Sequence, residues 1–263
     1  MIGLFLGETD FPNLILNNIK KDSIKYFIID LSTKGIFKKN KNSKKISIGQ
    51  FGKILDLIKK KKCKKVLFAG KIAKPNLSSI KLDFKGIYYL PRIIQASKLG
   101  DAAILKELIK ILNENNIRVI KSNFYNPELT LKKGCYTKLR PSTNDIKQIK
   151  MGIKSLKFTN PHDHIQALVI KNNNIIAKET SKGTKKMLLS INITKNNRGI
   201  LIKFPKIKQD LRVDLPTVGF DTLKDCNKAN LKGIVLKSNQ NIFLDRKRCI
   251  NFANKNRIFI KII

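Results

Sequence analysis

Residues 2–7, Ile-Gly-Leu-Phe-Leu-Gly, and residues 26–30, Tyr-Phe-Ile-Ile-Asp, are two short runs of nearly continuous apolar character. Runs this short, apolar at almost every position, suit strands buried on both faces. Asn13–Lys20 reads as a helix between them. Working outward, Phe51, Ile54, Leu55 and Ile58 recur at helical spacing after Gly49 with lysines opposite, and Lys65–Ala69 follows as a strand ending in Gly70. Asp101–Asn115 is the clearest helix, with Asp101 in the N-cap position and Ile104, Leu105, Leu108, Ile111 and Leu112 on one face. Arg118–Lys121 closes the series as a strand. Such alternation predicts an α/β protein whose N-terminal domain is a Rossmann-like parallel sheet covered on both faces.

The pattern breaks into Pro, Gly and Asn over Asn123–Pro141, which places a boundary between domains 1–126 and 127–263. The second domain reads as mixed α/β. A helix capped near Ser142 or Thr143 runs toward Leu156, and Ile165–Ile170 and Ile175–Ala177 flank Lys171-Asn172-Asn173-Asn174, a hairpin signal. Gly183-Thr184 opens a short helix. Gly199–Phe204, Gly233–Leu236, Ile242–Leu244 and Ile258–Ile263 read as strands, and Thr222–Asn230 and Arg246–Asn256 as helices.

The formal net charge of the 263-residue chain is +37. A polyanion partner is the first reading of such a charge. The excess is almost all lysine, however, spread from Lys20 to Lys261 alongside abundant isoleucine and asparagine, while arginine is sparse and the phenylalanines, such as Phe27 and Phe68, lie in apolar runs. Neither bidentate base recognition nor stacking is served by that arrangement, so no specific nucleic acid is expected. The field should instead draw the protein to anionic phospholipid or a phosphorylated substrate. No secretory pattern and no span-length apolar run is visible, and Cys63, Cys135, Cys226 and Cys249 form no C-x-x-C pair, which fits a reducing cytoplasm.

Residues 203–219 set Asp210 and Asp214 among Lys203, Lys206, Lys208 and Arg212. Asp214 can offer hard oxygen to a divalent cation while the cations neutralise a phosphoryl group, and Pro216 and Gly219 turn the chain just afterwards. An edge strand with solvated charges is the alternative. Gly49–Lys53 has the composition of an amide cradle for phosphate, or of a simple turn before a helix. Asn160-Pro161-His162-Asp163-His164 has the look of a transition-metal site but lacks a third ligand, and a polar loop explains it as well.

Several segments together resemble one family, the magnesium-dependent UDP-2,3-diacylglucosamine pyrophosphatases of the LpxI type. They are Ile48-Gly49-Gln50-Phe51-Gly52-Lys53-Ile54, Phe68-Ala69-Gly70-Lys71 with Pro75, Leu99-Gly100-Asp101-Ala102-Ala103-Ile104-Leu105, Asp163 with Gln166, Glu179 with Gly183-Thr184, and above all Gln209–Gly219. The resemblance implies a two-domain hydrolase of lipid A synthesis, cleaving a UDP-linked diacylglucosamine to UMP and the lipid 1-phosphate with Mg²⁺, or Mn²⁺ in its place. It implies that Asp214 is the essential carboxylate. Asp210 and Glu179 are left to complete the metal shell, act as base, or serve as cap or ion-pair partner; Asp210 and Arg212, the latter one of the cations able to neutralise phosphoryl oxygens, are the further candidate catalytic residues. Expected substrate contacts are Gly49, Gly52, Lys53, Gly70, Asp101, Gly183, Thr184, Lys203, Gln209 and Thr217. The segment Pro75–Pro91, without a helical period, reads as a loop admitting acyl chains or as a packed loop. Departures are visible too: Gly7-Glu8-Thr9-Asp10 replaces a glycine-rich turn with acids, and Lys182 and Lys185 stand where the family tends to carry acids. A cytoplasmic enzyme of a Gram-negative bacterium, peripheral to the inner membrane, is thus expected, with self-association left open.

Overall fold

The apolar runs of the first half become a five-stranded parallel sheet. β1 (Ile2–Leu6), β2 (Tyr26–Asp30), β3 (Ser43–Lys45), β4 (Lys65–Ala69) and β5 (Arg118–Val119) pair in the order β3-β2-β1-β4-β5. A computed structural model describes residues 1–72, 80–158, 165–191, 198–206 and 209–263. These form two compact units, one of Met1–Pro127 with Asp210–Asp214, the other of Glu128–Gln209 with Leu215–Ile263.

In the first unit β1 is central and buried along its whole length, as a strand covered on both faces must be. Four helices follow the strands: α1 (Phe11–Lys21), α2 (Phe51–Lys60) and α4 (Asp101–Glu114) pack toward the sheet, and α3 (Phe84–Ser97) packs on α2 and α4. α2 buries Phe51, Ile54, Leu55 and Ile58, and its last turn carries Lys59 and Lys60, cations that complement the negative end of a helix. Phe5, Ile29, Phe51, Ile54, Val66 and Ile111 share one apolar cluster.

α3 corrects the reading of Pro75–Pro91 as loop. Phe84, Ile87, Tyr88, Tyr89, Leu90, Ile93 and Ile94 surround the helix rather than lining one side, so no single apolar stripe is visible, and Pro91 lies inside it. Pro75 is outside the described residues. Asp101 also differs from expectation: Gly100, at φ 96°, is the cap, and Asp101 is the first helical residue, where a carboxylate favours the positive helix end.

The second unit is built on a mixed six-stranded sheet, β6 (Gly134–Cys135), β13 (Phe259–Ile262), β11 (Leu231–Leu236), β9 (Gly199–Lys203), β7 (Ala167–Lys171) and β8 (Asn174–Lys178), in that order. β13, β11 and β9 are mutually parallel and the other pairings antiparallel. Asn172 and Asn173, both at positive φ, make the β7–β8 hairpin turn, a conformation asparagine tolerates. A separate two-stranded parallel pair joins β10 (Thr217–Val218) to β12 (Ile242–Phe243). On one sheet face α5 (Thr143–Lys157) covers Leu168, Ile170, Ile200 and Ile202; α6 (Gly183–Leu189), α7 (Phe220–Lys228) and α8 (Arg246–Lys255) contribute to the other cluster. α5 opens with a capping box, Ser142 Oγ accepting from the Asp145 N–H at 3.2 Å and Asp145 accepting from the Ser142 N–H at 3.0 Å. Among the described residues no helix is long and apolar enough to cross a membrane.

Candidate functional site

The positive end of α2 is already supplied with an anion from the chain itself. Asp83 Oδ1 accepts from the N–H of Gly52 at 3.0 Å and of Gly86 at 2.8 Å, and Oδ2 accepts from the N–H of Lys53 at 2.9 Å. One carboxylate therefore caps two helices, α3 as its N-cap and α2 across the fold. The expected phosphate cradle at Gly49–Lys53 is thus corrected, since the Gly52 and Lys53 amides are taken. Glycine at 49 and 86 has a packing reason instead: a Cβ on Gly86 would stand 2.0 Å from the Gly49 carbonyl oxygen, and one on Gly49 would stand 2.6 Å from that of Lys81.

Burial pushes the Asp83 carboxyl up, but the three N–H donations outweigh it and hold the group below its ordinary value of 3.8. A depressed folded pKa contributes stability above the unfolded value, and that contribution is lost as pH falls through the folded one. Asp83→Ala is expected to cost about 2 kcal/mol at neutral pH and to flatten the acid limb of stability below about pH 4. Urea unfolding of both proteins across that range checks it; equal stabilities would refute the double cap.

In an open parallel sheet, ligands favour the crevice beyond the strand ends where the order reverses, between β1 and β4 in this chain. Here the two chains leaving those strands pair with each other, the Glu8 N–H donating to Lys71 O at 2.7 Å and the Lys71 N–H to Glu8 O at 2.8 Å. Gly70 is required by that pairing, for it sits at φ 83° and a Cβ would approach the Glu8 carbonyl oxygen to 2.6 Å. The Glu8 carboxylate accepts from the backbone N–H and the hydroxyl of Thr33. A backbone bridge and an acid therefore stand at this sheet's switch point.

Asp210–Asp214 packs with the first unit although both its sequence neighbours belong to the second. Val213 packs on the cluster containing Phe51 and Ile111, and the Ser122 N–H, just past β5, donates to Arg212 O at 2.7 Å. The Val213 and Asp214 N–H groups both donate to Asp210 O, closing a tight turn. Asp210 Oδ2 accepts from Arg212 Nη2 at 2.7 Å and Oδ1 from Arg212 Nε at 3.0 Å and the Arg212 N–H at 2.9 Å. Arg212 accordingly holds the Asp210 carboxyl below its ordinary range, with Lys106 on α4 adding attraction, and its own pKa is raised in return. Asp210 is committed to Arg212, and Asp214, half-buried at the end of the turn, is the segment's other carboxylate.

An apolar cavity of about 220 Å³ lies in the same unit, walled by Phe51 of α2, Leu82, Tyr89, Leu90 and Ile93 of the α3 region, and Leu108 of α4. Phe51, Tyr89, Ile93 and Leu108 also belong to or pack on the cluster that seats Val213. The cavity lining and Val213 of the turn thus belong to, or pack on, one apolar cluster. Asp101 opens α4, while Lys53 is exposed.

In the second unit a buried polar chain joins three of the predicted residues. Lys203 Nζ, at the end of β9, donates to Thr184 Oγ1 at 2.8 Å, and Thr184 Oγ1 donates to Glu179 Oε1 at 2.5 Å. Glu179 Oε2 accepts from the Gln166 N–H at 2.9 Å. Both Glu179 oxygens are engaged and the residue is buried, which disfavours its expected role as a metal ligand. Gly183 precedes Thr184 at φ 83°, where glycine is at home. Gln209 Oε1 accepts from the Lys206 N–H at 2.9 Å and from Gln166 Nε2 at 3.3 Å, while its buried Nε2 has no hydrogen-bond partner among the described residues. Thr217 is exposed on β10 and donates to Leu215 O.

Of the four cations expected to face phosphate, Lys203 is buried on Thr184, Arg212 is paired with Asp210, Lys206 is half-buried, and Lys208 lies outside the described residues. His162, Asp163 and His164 lie outside them too. Among the described residues no group of three or more His, Cys, Asp or Glu is placed to hold a metal ion. Sequence reasoning missed Asp83 and Asn241, whose Nδ2 donates to Lys203 O at 3.1 Å. An aspartate directly ahead of Phe84 was the available signal for the first; none existed for the second.

The profile of the LpxI N-terminal domain matches residues 1–129, and that of the LpxI C-terminal domain matches residues 132–261. The chain is also similar to a protein of Caulobacter vibrioides named UDP-2,3-diacylglucosamine pyrophosphatase LpxI, 28% identical over 223 residues that cover 82% of this chain and 80% of the relative. With a two-domain α/β fold, and both domain profiles together spanning nearly its full length, the chain belongs to the LpxI family of enzymes.

Proposed function

We propose that the protein hydrolyses the pyrophosphate bond of UDP-2,3-diacylglucosamine to UMP and 2,3-diacylglucosamine 1-phosphate in lipid A synthesis, with a divalent cation at Asp214. The relative bears that substrate in its name. The observation in this chain that supports the reading is an apolar cavity lined in part by the same apolar cluster on which Val213 of the Asp210–Asp214 turn packs. A lipid carrying acyl tails at one end and a pyrophosphate at the other needs apolar room and a turn that offers both carboxylate oxygen and a guanidinium in one unit. A nucleic acid needs only the second.

Mg²⁺ usually takes one or two protein carboxylates and completes its shell with substrate phosphates and water, so a single aspartate meets its donor requirement. When bound, the cation supplies charge neutralisation at phosphorus and a more acidic water. Asp210 grips the Nε and Nη2 edge of Arg212, which orients the remaining Nη1 edge of the guanidinium as a donor for a phosphate oxygen. Asp210 is in this reading a positioning residue and Arg212 the group that meets developing charge. The net charge of +37 further supports a peripheral association with an anionic membrane surface.

Incubation of the purified protein with the diacylated UDP-sugar in ¹⁸O-water tests the reaction. We expect UMP release with Mg²⁺ or Mn²⁺, none after EDTA, and label in the lipid 1-phosphate. Undiminished release after exhaustive chelation would refute metal assistance, and label in UMP would reverse the direction of attack.

A further inference from the structure

We propose that the outward face of α3 docks the protein on an anionic phospholipid bilayer, with Phe84, Ile87 and Tyr88 entering the boundary between headgroups and acyl chains. This rests on the reading that the substrate is a membrane lipid. Phe84 is 88% exposed, Ile87 59% and Tyr88 70%. At spacings of three and four they form one helical stripe, which the exposed Pro91 extends by a further turn. α3 already contributes Tyr89 and Ile93 to the core cluster, and Leu90 to the cavity, so the outward stripe is surplus to the core. A contiguous apolar stripe that the fold does not need marks an interaction surface.

Its surroundings select the partner. Phe84–Ser97 contains no aspartate or glutamate. Asp83, immediately before it, has its carboxylate turned onto three backbone N–H groups. Lys81 and Lys98 are exposed on either side, and Lys85 is 41% exposed with only a 3.6 Å pairing to Asp56. The one arginine of the helix, Arg92, is held by Glu107 and Glu114 and adds little net charge. An apolar centre with aromatic rings, rimmed by lysines whose stems can lie along acyl chains, matches the profile of an interfacial helix at anionic lipid.

The chain has no tryptophan, so Tyr88→Trp gives a reporter without background. With vesicles of phosphatidylglycerol and phosphatidylethanolamine, its emission should shift to the blue and be quenched by brominated acyl chains. Replacing Phe84, Ile87 and Tyr88 by serine should weaken flotation with the same vesicles about tenfold or more. Phe158→Ser, at another exposed aromatic, should leave flotation unchanged, and thermal unfolding should confirm that each variant folds. The triple variant should still release UMP from detergent-dispersed substrate while losing release from substrate in vesicles. Unshifted emission, a triple variant that floats like the parent, or equal binding to phosphatidylcholine vesicles would overturn the docking proposal. If the parent floats through α3 yet hydrolyses neither form of substrate, the docking stands and the assigned reaction falls.

Discussion

Asp214→Ala should lower the rate of UMP release by about a thousandfold or more while the variant still folds and unfolds cooperatively. The two halves of that expectation have separate causes. Asp214 ends a turn whose shape is fixed by other groups, namely the Asp210 carbonyl accepting from the Val213 and Asp214 N–H groups and the Ser122 N–H anchoring Arg212 O. Those bonds are backbone and survive truncation of the side chain. What is removed is a hard anionic oxygen, which a divalent cation needs more as charge gathers on phosphorus than in the ground state. Asp214→Asn is the sharper variant, since it keeps the shape and deletes the charge. It should be nearly as inactive, with KM changed far less than kcat. A parent-like kcat in either variant would remove Asp214 from the reaction.

The second large effect is on stability. In Gly86→Ala the added methyl would be placed 2.0 Å from the Gly49 carbonyl oxygen, well inside any tolerated contact. Both partners are backbone, so no side chain can swing aside and α2 and α3 must separate locally. Separation would lengthen the Gly86 and Gly52 N–H donations to Asp83 as well. A loss of about 3 kcal/mol is expected, within the range of overpacked cores, and the cavity that Gly49 and Gly86 help to line should change shape. Urea unfolding reads the first; a raised KM for long-chain but not short-chain substrate reads the second. Parent-like stability would mean that the two helices are free to part.

Much of the fold was legible because single-residue patterns carried it. β2 and β4 occupy Tyr26–Asp30 and Lys65–Ala69 as the apolar runs indicate, and α5 is capped by Ser142, one of the two residues expected there. α3 was not legible, because a helix apolar on two sides has no stripe to detect and Pro91 argues against it locally. Asp101 was misplaced by one residue, since a glycine at positive φ can end the preceding segment and open a helix without any side-chain bond. At the site, sequence spacing put Asp210, Arg212 and Asp214 together, and their turn is compact. It could not reveal that Asp210 spends its carboxylate on Arg212, that Asp83 fills the amide cradle of α2, or that Glu179 is consumed by Thr184 and Gln166. Each of those depends on which polar atom is nearer in space, and pattern along a chain carries no such distance.

The borrowed turn Asp210–Asp214 has a consequence for the order in which the protein is made. A nascent chain leaves the ribosome from its N-terminus, and domains generally fold as they emerge. The five-stranded sheet has all its strands once Val119 is out, yet the place that Val213 covers stays open until synthesis has passed Gln209. The first unit is thus finished only during translation of the second. A gene cut after Pro127 would leave the first product without the segment that packs on its apolar cluster and the second with that segment deprived of its partner.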